Sequence, residues 1–336
     1  PNALGSPAAV DADLNGTVDY IYAGDRLGNM FRFDLTSDNP DNWEAVRLFQ
    51  ATYDDGVGPD AIQPIQAKPL VVKNPNGLGF MVYFGTGSFI SKDDASTNEV
   101  QSIYGIWDRL EAAPATAMSG AKESRLIQQT ITNIVDDSGV GAITRRIVSR
   151  NDVALVADGL SPGVYGWYID LDMVRAAGTL SGASNSDSSG LAPPMPQYPG
   201  EKAIRRIVFR DGALITTTVL PATDEFSCSG VRPGSILVMD AFSGGDFEKA
   251  VIDFNTDSEI DENDLVEVGG ESYSGGMLFN QNDLDGALVD LSTLGGQYDT
   301  DFLFVSGGND TVAYRISDIS GRRTGRVSWL ELDESD

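Results

Sequence analysis

Short apolar runs, each closed by a glycine-containing turn and answered by a second run ending in Asp, recur along this chain, while helical periodicity is scarce. The clearest copy is 20–25 (YIYAGD), a turn at Leu27-Gly28-Asn29, then 30–35 (MFRFDL). Residues 80–85 followed by 102–108 (SIYGIWD) repeat it around a long insertion. A second strand alone stands at 164–171 (VYGWYIDL), and 214–220 with 235–240 (SILVMD) makes another pair. The series closes with 302–308 and 311–316. Strand pairs repeated in this way predict an all-β chain, a β-propeller of irregular blades with long loop insertions. A β-sandwich is the alternative, but it rarely needs 336 residues. The whole of 1–336 is read as one propeller domain. Loop insertions are expected near 178–199, which is rich in Gly, Ser and Pro, and near 112–136. The second of these holds either a short helix or a blade strand over 124–134.

Composition narrows the function. The hydrophobic fraction of 41% suffices for a core, yet 50 acidic residues against 23 basic ones leave a net charge of −27. Nucleic acid is therefore not an expected partner, because phosphate contacts need Lys/Arg patches. There is no histidine, which removes histidine-based catalysis and histidine-bound zinc. Cys228 is the single cysteine, so neither an intrachain disulfide nor a thiolate cluster can form. No apolar run approaches the length of a membrane-spanning helix. Asp outnumbers Glu by 37 to 13, a bias toward short-armed turn residues and ligands for hard cations.

The strongest local signal is Asp11-Ala12-Asp13-Leu14-Asn15-Gly16-Thr17-Val18-Asp19. Side-chain oxygens at positions 1, 3, 5 and 9, with Gly at 6, reproduce most of an EF-hand calcium loop. The expected ligands are Asp11, Asp13, Asn15, the Thr17 carbonyl and Asp19. Gly16 supplies the positive φ of the bend. Position 12 is Tyr22 and a strand follows at once, so the loop is EF-hand-like but lies outside an EF-hand. A second candidate runs from 253 to 264, with oxygen donors at Asp253, Asn255, Asp257, Glu259, Asp261 and Asp264. Ser258 stands there in place of the glycine. The turn Asp283-Leu284-Asp285-Gly286 has the wrong continuation for a third.

Enzymatic constellations are missing. Gly85-Thr86-Gly87-Ser88 is a strand-to-turn junction without the Lys-Ser/Thr of a phosphate loop. Trp43, Trp107, Trp167 and Trp329 are expected to pack between blades. Arg145-Arg146 and Arg205-Arg206 are expected to face acidic neighbours. The chain is read as a non-enzyme, with a carbohydrate-binding propeller or a quinoprotein-type enzyme as alternatives. The latter would show a regular Trp repeat, which is absent.

The run at 11–35, DADLNGTVDYIYAGDRLGNMFRFDL, closely resembles the signature of the type IV pilus biogenesis factors called PilY, the PilC-type tip adhesins. Residues 62–70 (IQPIQAKPL), Phe84-Gly85-Thr86-Gly87, 163–171, 205–220 ahead of Cys228-Ser229-Gly230, the acidic loop from Asp253 and 321–332 (GRRTGRVSWLEL) agree in order. The resemblance implies a modified seven-bladed β-propeller, the C-terminal domain of a larger protein exported across the bacterial envelope. It implies calcium binding at Asp11, Asp13, Asn15, Thr17 and Asp19. The occupancy of that loop would control whether pili stay extended or are retracted, and so support adhesion and twitching motility. Pilins, minor pilins or other pilus assembly proteins, and a host-surface receptor, are the implied partners. The implied location is the pilus at the cell surface.

Overall fold

A computed structural model describes residues 2–54, 59–75, 78–111, 122–136, 143–155, 164–171, 200–221, 231–279, 288–295, 301–307 and 310–316. Helix among them is limited to single 3-10 turns, such as Lys92–Ser96 and Glu262–Asp264. No helix among the described residues is long and apolar enough to cross a membrane.

The first sheet is a four-stranded antiparallel meander: Ala8–Val10, Tyr20–Gly24, Asn29–Asp34 and Glu44–Gln50. The second orders Leu70–Lys73, Phe80–Gly85, Ser102–Asp108 and Gly166–Asp170 antiparallel, with Ile127–Gln129 added parallel at the edge. The third contains Val208–Arg210, Ala213–Pro221 and Val231–Asp240, then Gly276–Leu278, then the hairpin Ile131–Asp136 with Ile143–Val148. A fourth joins Leu288–Gly295, Asp301–Gly307 and Asp310–Ile316. Every strand pair read from the sequence is present, and the lone strand at 164–171 docks on Ser102–Asp108.

Sheets stack face to face, which explains why their strands read as continuous apolar runs rather than alternating ones. Because successive side chains point to opposite faces, Phe80, Val82 and Phe84 pack with Tyr22, Met30 and Leu48 of the first sheet. Met81 and Tyr83 pack on the other face with Trp107, Trp167, Leu214 and Leu237, toward the third sheet. The third sheet repeats the pattern: Ile215, Ile236 and Val238 turn away from that cluster to meet Val251, Ile252, Phe254, Tyr314 and Ile316. Polar contacts cross the first interface too. Arg32 Nη1 lies 2.7 Å from Asp108 Oδ1, and the Tyr22 hydroxyl donates to Asp108 Oδ2 at 2.8 Å.

One open alternative is decided and one expectation changes. Of the two readings of 112–136, the strand is present, over Ile127–Gln129 and Ile131–Asp136; residues 112–121 lie outside the described residues. Its β-branched residues Ile127, Ile131, Thr132, Ile134 and Val135 suit a pleated surface, and the chain passes from the second sheet to the third at Thr130. Trp43 does not pack between sheets. It is 49% exposed, and its indole N–H donates to the Ser37 carbonyl at 2.9 Å. The insertion at 178–199, Cys228, the turn at Asp283 and Trp329 lie outside the described residues.

Candidate metal centre

Loop 11–19 connects the edge strand of the first sheet to its neighbour, where Val10 pairs with Tyr20. The loop is closed by Asp19, whose N–H reaches the Val10 carbonyl at 2.9 Å while its own carbonyl accepts from Leu35 N at 2.8 Å. Within this frame Asp11, Asp13 and Asp19 each bring a carboxylate oxygen within 4.8 Å of the other two. Gly16 has φ +89°, as the bend requires. Leu14, at φ +63°, is also left-handed, which residue type alone does not signal.

Backbone N–H groups shape the ring. Asp11 Oδ2 accepts from Gly16 N at 2.8 Å and Asp19 Oδ2 from Ala12 N at 2.6 Å. Asp13 Oδ1 accepts from Asn15 N at 3.2 Å, and Asn15 Oδ1 accepts from Thr17 N at 2.8 Å. The Thr17 carbonyl is the group that the spacing assigns to an ion. None of the three carboxylates is ion-paired with Lys or Arg among the described residues. Three like charges held this close by neutral donors fit a hard, oxygen-seeking divalent cation. Five oxygens fall one to three short of calcium's usual six to eight, a gap that water or a bidentate carboxylate fills.

The second sequence-predicted loop divides its carboxylates between interior and surface. Asp253 and Asp264 are buried, 3% and 1% exposed, whereas Asp257, Glu259 and Asp261 do not share that burial. Asp264 Oδ1 accepts from Phe254 N and Asn255 N at 2.8 and 3.2 Å. Burial pushes its carboxyl above the usual range despite these bonds. Asp261 caps the turn Glu262–Asp264, with Oδ1 accepting from Asn263 N at 2.8 Å.

Two of the tryptophans expected to pack between blades do so. Trp107 and Trp167 are fully buried, with N–H groups donating to the Leu78 and Ala241 carbonyls at 2.8 and 3.0 Å.

Residues 1–144 match the family model of the PilY1 beta-propeller domain. The type IV pilus biogenesis factor PilY1 of Pseudomonas aeruginosa strain UCBPP-PA14 is 27% identical over 370 residues, covering 99% of this chain and 28% of that protein. A PilY1 homolog from Xylella fastidiosa strain Temecula1 is 30% identical over 332 residues, covering 98% of this chain and 22% of its own length. The crystal structure of the P. aeruginosa PilY1 C-terminal domain aligns with a TM-score of 0.71 at 24% identity, over 95% of this chain and 61% of that one. The stacked sheets are thus those of a β-propeller. The chain spans about a quarter of the length of these curated relatives.

Proposed function

Since this chain is a relative of the PilY1 type IV pilus biogenesis factors along nearly its whole length, we propose that it is a calcium-responsive propeller domain acting in pilus biogenesis. The observation that carries the calcium reading is the approach of Asp11, Asp13 and Asp19 to within 4.8 Å on a loop whose alternation directs oxygens inward. Without an ion the three carboxylates repel one another. With it they close, and the edge strand Ala8–Val10 is fixed on the first sheet. At calcium tenfold to a thousandfold above the dissociation constant, linkage favours the bound form by about 1.4 to 4 kcal/mol. A surface with that much differential stability can alternate between two affinities for a partner. Pilins, minor pilins or other assembly proteins are the partners that fit this reading, with the pilus at the cell surface as its location. Control of extension and retraction, and with it adhesion and twitching motility, follows from such a switch. The reading is non-enzymatic.

The test is calorimetric titration of calcium into chelator-stripped protein, with Asp13→Ala alongside. We expect a binding event in the wild type that weakens at least tenfold in the variant. Equal calcium affinity in the two proteins would sink the assignment of the switch to this loop.

A further inference from the structure

Asp253 is buried, yet its Oδ1 has no hydrogen-bond partner among the described residues. The carboxylate is turned into its own loop, because Oδ2 accepts from Ser258 N at 3.1 Å. An ionised oxygen left unsatisfied in the interior is strongly disfavoured unless a further group completes it. One donor of each of two arginines reaches a carbonyl oxygen of this loop: Arg145 Nη2 on Asp264 O at 2.9 Å, Arg315 Nη1 on Ser258 O at 2.6 Å. We propose that loop 253–264 is a second site for a hard divalent cation such as calcium, with Asp253, Asn255, Asp257, the Glu259 carbonyl and Asp264 as its ligands.

The hydrogen bonding of the first loop is reproduced in the second. Position 1 accepts the N–H of position 6 in both, Asp11 from Gly16 and Asp253 from Ser258. Positions 4 and 6 are left-handed in both: Leu14 and Gly16 at +63° and +89°, Thr256 and Ser258 at +59° and +78°. The carboxylate that closes the ring accepts the N–H of position 2, Asp19 from Ala12 and Asp264 from Phe254. The counterpart of Asp19 is therefore Asp264, not Asp261. Three extra residues form the capped turn Glu262–Asp264 and carry the closing carboxylate inward. The trio Asp253, Asp257 and Asp264 does not converge as tightly as that of the first loop, and the exposed Asp257 is the member that an ion would draw in.

The place of the loop gives the ion a role of its own. Asp253 N donates to the Arg315 carbonyl at 3.0 Å, and Ile252 bridges Ile316, so one flank is tied to Asp310–Ile316. The other is tied by Arg145 to the strand Ile143–Val148 of the third sheet. An ion held here clamps the third sheet to the fourth, independently of the hairpin at 11–19.

Calcium titrations of the whole chain separate the two sites. We expect two equivalents in the wild type and one in Asp13→Ala. Adding Asp257→Ala to that variant should weaken the remaining event at least tenfold, as should Asp264→Asn, while adding Asp261→Asn should change it less than about threefold. Asp257 is exposed, so its variant folds even where Asp264→Asn does not. One equivalent that vanishes in Asp13→Ala would overturn the second site and leave the first standing. One equivalent that survives Asp13→Ala and is lost in Asp257→Ala would do the reverse. An unchanged affinity in Asp13→Ala/Asp257→Ala, or an equal loss from Asp261→Asn, would overturn the ligand set.

Discussion

Arg146 and Glu201 meet with no solvent exposure on either side chain. The guanidinium is bidentate, with Nη2 to Oε2 at 3.1 Å, and the Ser235 and Thr218 hydroxyls complete the carboxylate. Such a pair gains little over an apolar one, but losing one partner strands the other charge in a dry interior. Glu201→Gln should therefore destabilise the fold by about 3–5 kcal/mol, read as a lower urea midpoint with an unchanged slope. A loss below about 1 kcal/mol would mean that water reaches Arg146. The sequence reading sets Arg145 and Arg146 together against acidic neighbours, and the two meet different ones. Consecutive residues of a strand face opposite ways, so Arg145 lies over the Phe254 ring, 4.1 Å from its centroid, and donates to the Asp264 carbonyl of the acidic loop and to the Ser274 carbonyl. The same limit applies to Asp261. Spacing shows where oxygens occur, but whether one caps a turn or closes a ring depends on backbone torsions that spacing alone does not reveal.

At the level of elements, strands buried on both faces announce themselves as unbroken apolar runs, which is why 80–85 and 102–108 were legible. Sheet membership was not. Gly276–Leu278 and Ile127–Gln129 have three residues each, too few for a period, and they are recruited by partners distant in sequence. Their information lies in the surface they complete. Close approach of elements also explains one irregularity of the runs, the glycine inside SIYGIWD. A Cβ at Gly105 would fall 2.5 Å from Trp167 Cε2, within a ring fully buried between the second and third sheets. Gly105→Ala should cost about 1–3 kcal/mol by overpacking. It should also shift the Trp167 emission, because the indole must move off the Ala241 carbonyl. An unchanged denaturation midpoint and spectrum would show that the strand yields instead of the ring.

For the molecule as a whole, a charge of −27 sets a background against which any calcium effect has to be judged. Self-repulsion loosens a compact state, and simple salt relieves it as the Debye length falls from about 30 Å at 0.01 M to about 8 Å at 0.15 M. Sodium chloride should therefore raise the melting temperature by itself, reach a plateau, and act equally on the wild type and on Asp13→Ala. Coordination differs in kind, because it stabilises by mass action at particular oxygens. Calcium chloride at matched ionic strength should add a further increment equivalent to about 1.4–4 kcal/mol at tenfold to thousandfold saturation. Chelation should reverse that increment, and Asp13→Ala should reduce it. Coincident curves for the two salts would assign the whole effect to screening, and the acidity of the chain would then have no bearing on a calcium switch.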